Sequence, residues 1–240
     1  MIFGMLHVVM ALPQCPLKLP GNASNHGKSM MKTVNGLVTA LLIAIAPVAF
    51  AAGNADAGKS KTMDCAACHG ADGNSAAPNF PKLAGLGEKY LLKQMKDVRD
   101  GERNIVEMTG MLNGLSDQDL ADIAAYYDSQ TRQLSGAKEE KLALGEKIYR
   151  GGNIETGVPA CTGCHSPAGN GNAPGGYPAL GGQHAAYIAK QLRAFRTAAH
   201  DMEDPAGRAN DGDAAVMRGV AAHMSNQEID AVANFISGLH

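Results

Sequence analysis

The sequence contains no tryptophan, and aromatic residues make up only 5% of its 240 residues. A protein of this length usually fills its core with several large aromatic side chains, so something else has to supply apolar volume here. Cysteine is also scarce, because there are only five, of which four form two closely spaced pairs. The dense disulfide framework of small secreted proteins is therefore not expected.

A basic surface is lacking as well. The formal net charge is −2, and all 23 acidic residues follow Ala51, whereas three of the 21 basic residues precede it. The chain beyond Ala51 is therefore more acidic than the whole sequence. This charge balance argues against nucleic acid as a partner.

Long apolar runs are missing apart from one near the N-terminus. Residues 31–51 have the pattern of a secretory signal, in which Lys32 supplies positive charge, residues 37–49 are apolar, and Ala49-Phe50-Ala51 forms a cleavage motif. The apolar stretch is short for a membrane span. We therefore predict that residues 1–51 are an upstream extension and signal peptide, and that the exported protein begins at Ala52.

The motif Cys-x-x-Cys-His occurs twice. Its residues are Cys65, Cys68 and His69 in the first copy, and Cys161, Cys164 and His165 in the second. Two thiols at this spacing face the same way on one helical turn, where they can form thioethers with the vinyl groups of a haem while the imidazole reaches the iron. We predict two covalently bound haem c groups, whose apolar rings supply core volume. A zinc site would gather all four thiolates in one cluster, and a disulfide framework rarely repeats this unit.

The two halves of the chain repeat each other. Residues 80–85 match residues 177–182 at a spacing of 97, whereas residues 116–118 match residues 225–227 at a spacing of 109. The second half has therefore gained twelve residues around 200–213. This stretch is rich in Asp, Ala and Gly, which predicts an exposed loop.

Each half has the pattern of a small helical unit. The predicted first and middle helices span 55–63, 89–99, 142–150 and 185–197. Each half ends on an amphipathic helix that begins with an N-cap serine, Ser116 or Ser225, followed by acidic residues. No segment alternates convincingly as a strand. We predict an all-α fold of two domains, 52–130 and 138–240, joined by a linker over 131–137.

A haem that is held by one histidine leaves an axial position open, which a downstream Met or His could close. The repeat selects among the candidates, because Met108 aligns with Met217, whereas Met111 aligns with a valine and Met224 with a leucine. We predict Met108 and Met217 as the sixth ligands; the alternative for each is ordinary core packing. The remaining histidines have no histidine counterpart in the first half and are expected at the surface or in supporting positions: His184, His200, His223 and His240.

A loop follows each motif. Pro81 and Pro178 lie where a main-chain carbonyl could accept the Nδ1 proton of His69 or His165, which would fix the orientation of the imidazole. Loop rigidity is the alternative role for both prolines.

Together these motifs resemble the class I c-type cytochromes, and among them the di-haem cytochromes c4. The resemblance rests on residues 65–74, 80–85, 107–111, 159–165, 181–187 and 217–221, and it covers essentially all of 52–240. It implies two cytochrome c domains related by a pseudo-twofold axis, with the haems close together at the domain interface. His69 and Met108 would bind one iron, and His165 and Met217 the other. The chain is shorter than the family pattern around residues 103–105, so the surface loop of the family does not carry over to this place, whereas the ligands do.

The resemblance also implies a periplasmic electron carrier, not an enzyme. His/Met ligation suits this role, since it closes the iron to other ligands and raises its potential. The expected partners are a quinol-oxidising complex and a terminal oxidase, and contact with the inner membrane would be peripheral. Two alternatives stay open: a di-haem oxidoreductase of the peroxidase or thiosulfate-oxidising type, which needs an open axial position, and the cytochrome subunit of a flavoprotein.

Overall fold

The computed structural model describes residues 52–240; the predicted signal peptide and upstream extension lie outside the described residues. Within this range the secondary structure is helical, and the only bridges between extended residues are two isolated pairs, Asn153 with Val158 and Asn172 with Tyr177. No helix of this range is long and apolar enough to cross a membrane. The helical architecture confirms the predicted all-α fold.

The helices of the two halves follow one order. The first half contains α1 (Ala55–Ser60), α2 (Met63–His69), α3 (Glu88–Arg99), a 3-10 helix at Val106–Met108, and α4 (Asp117–Asp128). The second half contains α5 (Leu142–Gly151), α6 (Thr162–His165), α7 (Ala185–His200), α8 (Val216–Ala222) and α9 (Asn226–Gly238). The predicted helices are present, except that residues 55–63 divide between the whole of α1 and the start of α2.

The last helix of each half organises its packing. Helix α4 packs against α1 and α3, and α9 packs in the same way against α5 and α7. Both begin with a capping box, in which the predicted N-cap residues, Ser116 and Ser225, exchange hydrogen bonds with Asp119 and Glu228. Their apolar stripes lie in two separate clusters of buried residues, one in each half. Each half therefore has its own core, as expected of a domain.

The first and last helices of each half cross so closely that only glycine fits between them. A Cβ atom added to Gly58 would lie 2.0 Å from the carbonyl oxygen of Asp122, and one added to Gly145 would lie 2.1 Å from the carbonyl oxygen of Ala231. Asp122 and Ala231 are 109 residues apart, as are the two N-cap serines. The repeat therefore extends from the motifs to the packing of the backbone.

The side chain of Asp122 also stabilises the crossing of α1 and α4. The carboxylate is buried, and it accepts hydrogen bonds from Lys61 Nζ at 2.6 Å and from the backbone N–H of Asn54 at 2.9 Å. These donors, with Lys61 contributing most, lower the pKa of Asp122 to about 2. Since Asn54 is the N-cap of α1, the carboxylate ties the start of α1 to α4.

Replacing Asp122 with asparagine should destabilise the protein at neutral pH, because Lys61 loses the more buried of its two ionised partners and keeps only Asp119. A carboxyl group whose pKa is depressed stabilises the fold above the unfolded-state pKa of about 3.9, and this contribution disappears as the pH falls through the folded-state value. The difference in unfolding midpoint between Asp122→Asn and the parent should therefore be present at pH 7 and shrink as the pH falls from about 4 to about 2. Denaturant titrations across this range measure it. A difference that is independent of pH would contradict this role.

The segment between the two halves, residues 131–137, contains no helix and is bonded to both sides. The guanidinium of Arg132 donates hydrogen bonds of 2.8 to 3.0 Å to main-chain carbonyl oxygens of both halves, namely those of Ala84, Ala179 and Gly181. The backbone N–H of Gln133 donates to the side chain of Asn74 at 2.8 Å. The segment is therefore fixed to both halves by hydrogen bonds and is not a flexible linker.

Candidate haem sites

Helix α2 carries the whole first motif. Cys65, Cys68 and His69 all lie on the wall of one cavity of about 780 Å³. The helix ends directly after the histidine, because Gly70 adopts a φ of 81°, a conformation that side-chain-bearing residues rarely adopt. His69 itself is only 8% exposed. The two thiols and the imidazole are thus presented together at the cavity surface.

The cavity has the size and lining of a cofactor site. Its volume lies in the upper part of the range for small-molecule and cofactor sites. Much of the wall is apolar, formed by Leu83, Leu86, Leu91, Ile105, Leu112 and Ile123. Met108 and Met111 both lie on this wall; Met108 is half-buried, whereas Met111 is 48% exposed. An apolar cavity with two thiols, one imidazole and two thioethers on its wall fits a haem c.

Both motif histidines are oriented by the loops that follow them. His69 Nδ1 lies 2.9 Å from the carbonyl oxygen of Pro81, and His165 Nδ1 lies 2.9 Å from that of Pro178. Burial lowers the pKa of both imidazoles, which favours their neutral form. A neutral imidazole that donates its Nδ1 proton to a carbonyl keeps the Nε2 lone pair for a metal. The predicted contacts to the two proline carbonyls are confirmed.

The second motif is placed in the same way by α6. His165 is 6% exposed, and the ring of Tyr177 meets it edge-on at a centroid distance of 6.1 Å, as Phe80 meets His69 at 6.2 Å. Cys161 and Met217 are half-buried, and both pack against the core cluster of the second half. The structure therefore brings Cys161 and Met217 of the predicted second site to one core.

The four motif cysteines are divided between the two halves, and Cys68 is exposed. Cys65 packs against the first cluster and Cys161 against the second, and none of the four is in a disulfide. Burial raises the pKa of the Cys161 thiol to about 11, so it is protonated at neutral pH. Within residues 52–240, no group of three or more His, Cys, Asp and Glu side chains is arranged to hold a metal ion. A single zinc cluster of four thiolates does not fit this division.

An ion pair holds the start of α8, on which Met217 lies. The backbone N–H and the Nε of Arg218 donate to the two carboxylate oxygens of Asp211 at 2.9 and 2.6 Å. Both side chains are largely shielded, at 15% and 6% exposure. Asp211 belongs to the stretch that the second half has gained. In the first half the corresponding methionine, Met108, ends the 3-10 helix instead.

The loops that hold the histidines also form the joint between the halves. The side chain of Gln183 is almost fully buried; its Oε1 accepts from the N–H of Lys82 at 2.9 Å, and its Nε2 donates to the carbonyl of Lys82 at 2.8 Å. The N–H of Ala179 donates to the carbonyl of Leu86 at 3.2 Å. Lys82 and Ala179 directly follow the two prolines, so the joint lies one residue from the groups that orient the imidazoles.

The prediction that residues 200–213 are exposed is wrong for part of this stretch. Residues 201–203 are exposed, but Arg208 and Asn210 are each 8% exposed. Arg103, which lies where the chain is shorter than the family pattern, is 9% exposed. The reason is that these side chains lie at the joint, where groups from the opposite half bond them. The sequence contains a weak indication that the two arginines correspond, since both follow a middle helix and precede an asparagine by one or two residues. The residues gained by the second half place them at different repeat spacings, so the correspondence is not visible in the alignment of the halves.

Comparison with known proteins agrees with this geometry. The family model described as Cytochrome c matches residues 55–131 and 142–240. Cytochrome c4 of Pseudomonas aeruginosa is 54% identical over 209 residues, which cover 86% of this chain and 100% of that protein. A thiosulfate dehydrogenase electron acceptor of Thiomonas intermedia is 35% identical over 196 residues, covering 80% and 83%. The crystal structure of reduced recombinant cytochrome c4 from Pseudomonas stutzeri aligns with a TM-score of 0.74 at 54% identity, covering 79% of this chain and 100% of that one.

Two helical domains, each with its own core and its own Cys-x-x-Cys-His helix, define a two-domain c-type cytochrome. The chain belongs to the cytochrome c family, within the group of di-haem cytochromes c4. It binds two haem c groups covalently and transfers electrons. The family, the fold class and the cofactors predicted from the sequence are confirmed.

Proposed function

We propose that this protein is a periplasmic carrier of single electrons, which it accepts from a quinol-oxidising complex and passes toward a terminal oxidase. The observation that carries the proposal is the pair of buried imidazoles, each oriented by a proline carbonyl so that Nε2 is free for an axial bond. When bound, a haem iron supplies one-electron chemistry by changing between its ferrous and ferric states. The chain contributes attachment, axial ligands and a shielded environment.

The residue roles follow the motifs and the repeat. The attachment residues are Cys65 and Cys68 for the first haem and Cys161 and Cys164 for the second. The axial pairs are His69 with Met108 and His165 with Met217. We assign the first site to a domain of residues 52–130 and the second to a domain of residues 138–240, with 131–137 as the linker.

A carrier is favoured over a catalyst by the two methionines. An oxidoreductase of the peroxidase or thiosulfate-oxidising type needs one axial position that a substrate can reach, whereas a thioether at both positions keeps both irons closed. The relative from Thiomonas intermedia is itself named as an electron acceptor. We therefore propose that the chain performs no bond chemistry of its own.

The proposed location rests on the signal pattern of residues 31–51 and on the attachment of haem to cysteine, which takes place outside the bacterial cytoplasm. The acidic balance after Ala51 favours contact with positively charged faces of redox partners. Any contact with the inner membrane would be peripheral.

A redox titration of the purified full-length protein, followed by optical and magnetic spectra, tests the proposal. We expect two haems per chain, both low-spin with His/Met ligation, and no binding of carbon monoxide to the reduced protein. One high-spin haem that binds carbon monoxide would contradict the carrier assignment and favour an oxidoreductase, whereas a bis-histidine haem would contradict the assignment of its methionine ligand. Co-purification of a flavoprotein in fixed stoichiometry would contradict the free carrier and favour the subunit alternative.

A further inference from the structure

Helix α8, which carries Met217, buries little of its own surface. It has seven residues, Val216–Ala222, and among them Ala221 alone is buried. A helix this short is not stable in isolation, because its few hydrogen bonds do not offset the cost of starting a helix. Contacts with the rest of the second half therefore have to fix the position of α8, and with it the position of Met217.

The backbone at the start of α8 is strained as well. Ala215, the N-cap residue, adopts φ 48° and ψ 36°, the left-handed conformation that residues with a side chain rarely adopt. Alanine also has no side-chain oxygen with which to accept a hydrogen bond from the first backbone N–H groups of the helix. A helix that starts at this residue needs an acceptor and a support from elsewhere in the chain.

Asp211 supplies both through Arg218. Arg218 is the third residue of α8, so its backbone N–H is one of the donors that a helix start leaves without a partner. This N–H donates to Asp211 Oδ2 at 2.9 Å, and the Nε of the same residue donates to Asp211 Oδ1 at 2.6 Å. One carboxylate therefore bonds the main chain and the side chain of the residue next to Met217, and its negative charge favours the helix start.

The ion pair between Asp211 and Arg218 is shielded from water. Exposed ion pairs contribute little to stability, but these two side chains are only 6% and 15% exposed. The remaining guanidinium nitrogens of Arg218 donate to the sulfur of Met202 and to the carbonyl oxygen of Gly212, both at 2.9 Å. Removal of the carboxylate would leave a largely shielded guanidinium without an ionised partner, which is costly.

The far end of α8 is held from α7. Arg196 donates to the carbonyl oxygen of Met224 at 2.7 Å and to the side chain of Asn226 at 2.6 Å. His200 Nε2 lies 3.2 Å from the carbonyl oxygen of Ala222. The end of the helix is thus fixed independently of Asp211, whereas the start, where Met217 lies, depends on the ion pair.

The ion pair comes from residues that the second half has gained. Met108 follows the buried Arg103 by five residues, whereas Met217 follows the buried Arg208 by nine. Asp211 lies in this longer connection. The residue after Met108 is a threonine, which cannot form an ion pair. The two proposed sixth ligands are therefore held by different means.

We propose that Asp211 is a positioning residue for the sixth ligand of the second haem, because through Arg218 it keeps Met217 where its sulfur can bind the iron. The proposal rests on the proposed function, in which Met217 is that ligand. Asp211 acts on the start of α8 and not on the cofactor itself. The ion pair makes displacement of Met217 by another ligand less favourable, since the freed methionine could not move away without disturbing it.

The test measures how readily imidazole displaces methionine from the oxidised iron of the holoprotein. Met108→Ala provides the background, because its first haem has no methionine to lose and the remaining Met-to-iron absorption belongs to the second haem. In this background Asp211→Asn should raise the affinity of the second haem for imidazole about tenfold, the factor that corresponds to losing one hydrogen bond to a charged group. Asp211→Glu keeps the charge, so its affinity should stay within about threefold of the background.

Asp230→Asn is the control in the same half. Asp230 accepts from Arg193 at 2.6 Å, in an ion pair between α9 and α7 that does not include α8. We expect this variant to change the affinity for imidazole by less than about twofold. An unchanged affinity in Asp211→Asn, or an equal rise in Asp230→Asn, would overturn the proposal.

Two further measurements keep the result specific. In a Met217→Ala background, which reports the first haem, Asp211→Asn should change the affinity by less than about twofold, and an equal rise at both haems would show general loosening and overturn the proposal. If Asp211→Asn yields no holoprotein, Arg218→Lys replaces it, because lysine keeps the charge but loses the planar fork. A rise of about threefold is then expected, and an unchanged affinity overturns the proposal.

These outcomes are separable from those of the proposed function. If Met108→Ala shows no Met-to-iron absorption at all, Met217 is not a ligand, so the proposed ligand set fails and this proposal fails with it. If the absorption is present and does not respond to Asp211, the carrier assignment stands and only the positioning role of Asp211 is lost.

Discussion

Substitution of Met108 or Met217 by alanine should leave one iron without its sixth ligand. The reason is that each thioether is proposed as the only sixth ligand that its domain supplies. Each single variant should lose about half of the weak Met-to-iron absorption at the red end of the spectrum and should bind carbon monoxide at one haem when reduced. Optical titration of the reduced protein with carbon monoxide measures both effects.

Met111 provides the control for the first site, since it lies on the same cavity wall but is 48% exposed. Met111→Ala should keep the full absorption band and cost about 0.5 kcal/mol or less of the free energy of unfolding, as is usual for an exposed side chain. If Met111→Ala lost the band and Met108→Ala kept it, the assignment of the two methionines would be reversed.

Gly145→Ala should destabilise the second domain strongly. The added methyl group would lie 2.1 Å from the carbonyl oxygen of Ala231 and 2.7 Å from the Cβ of Phe235, so α5 and α9 would have to separate. Overpacking typically costs 1–3 kcal/mol, and a clash with the backbone belongs at the upper end, so we expect a loss of about 3 kcal/mol in the free energy of unfolding. Denaturant unfolding of the holoprotein, followed by far-ultraviolet circular dichroism, measures this loss.

Gly151→Ala is the matched substitution in the same helix. No heavy atom beyond its chain neighbours and its own helix backbone lies within 4 Å of the position that its Cβ would take, so Gly151→Ala, at the last residue of the helix, should change the free energy of unfolding by about 0.5 kcal/mol or less. Equal effects of the two substitutions would show that the close crossing of α5 and α9 is not what requires glycine at position 145.

The contacts at the joint give the two domains a shared environment for their cofactors. The cavity of the first domain is partly walled by α7 of the second, through Tyr187 and Gln191. Gln183 of the second domain bonds both main-chain groups of Lys82, next to the carbonyl that orients His69. A change in one domain can therefore reach the haem environment of the other through a few hydrogen bonds.

Local features of the sequence by themselves determined the covalent cofactors, the helix starts and the orientation of the motif histidines. The two Cys-x-x-Cys-His motifs predicted the covalent haems because attachment depends on residues within one helical turn. The N-caps at Ser116 and Ser225 were predictable for the same reason, since a capping box spans four residues. The repeat identified Pro81 and Pro178 as acceptors, because both lie in short loops at nearly constant distance from their histidines.

The contacts at the joint between the halves could be identified only from the tertiary structure. Arg103 and Arg208 are polar residues in irregular segments, a pattern that predicts exposure, and they are buried because partners about 100 residues away bond them. The gained residues shift the register on both sides of Arg208, so the repeat did not reveal the pair. Gly58 and Gly145 are ordinary helical glycines in the sequence, and their role follows from a helix that crosses them from the far end of the domain. Sequence motifs report chemistry between neighbours in the chain, whereas burial and charge compensation depend on neighbours in space.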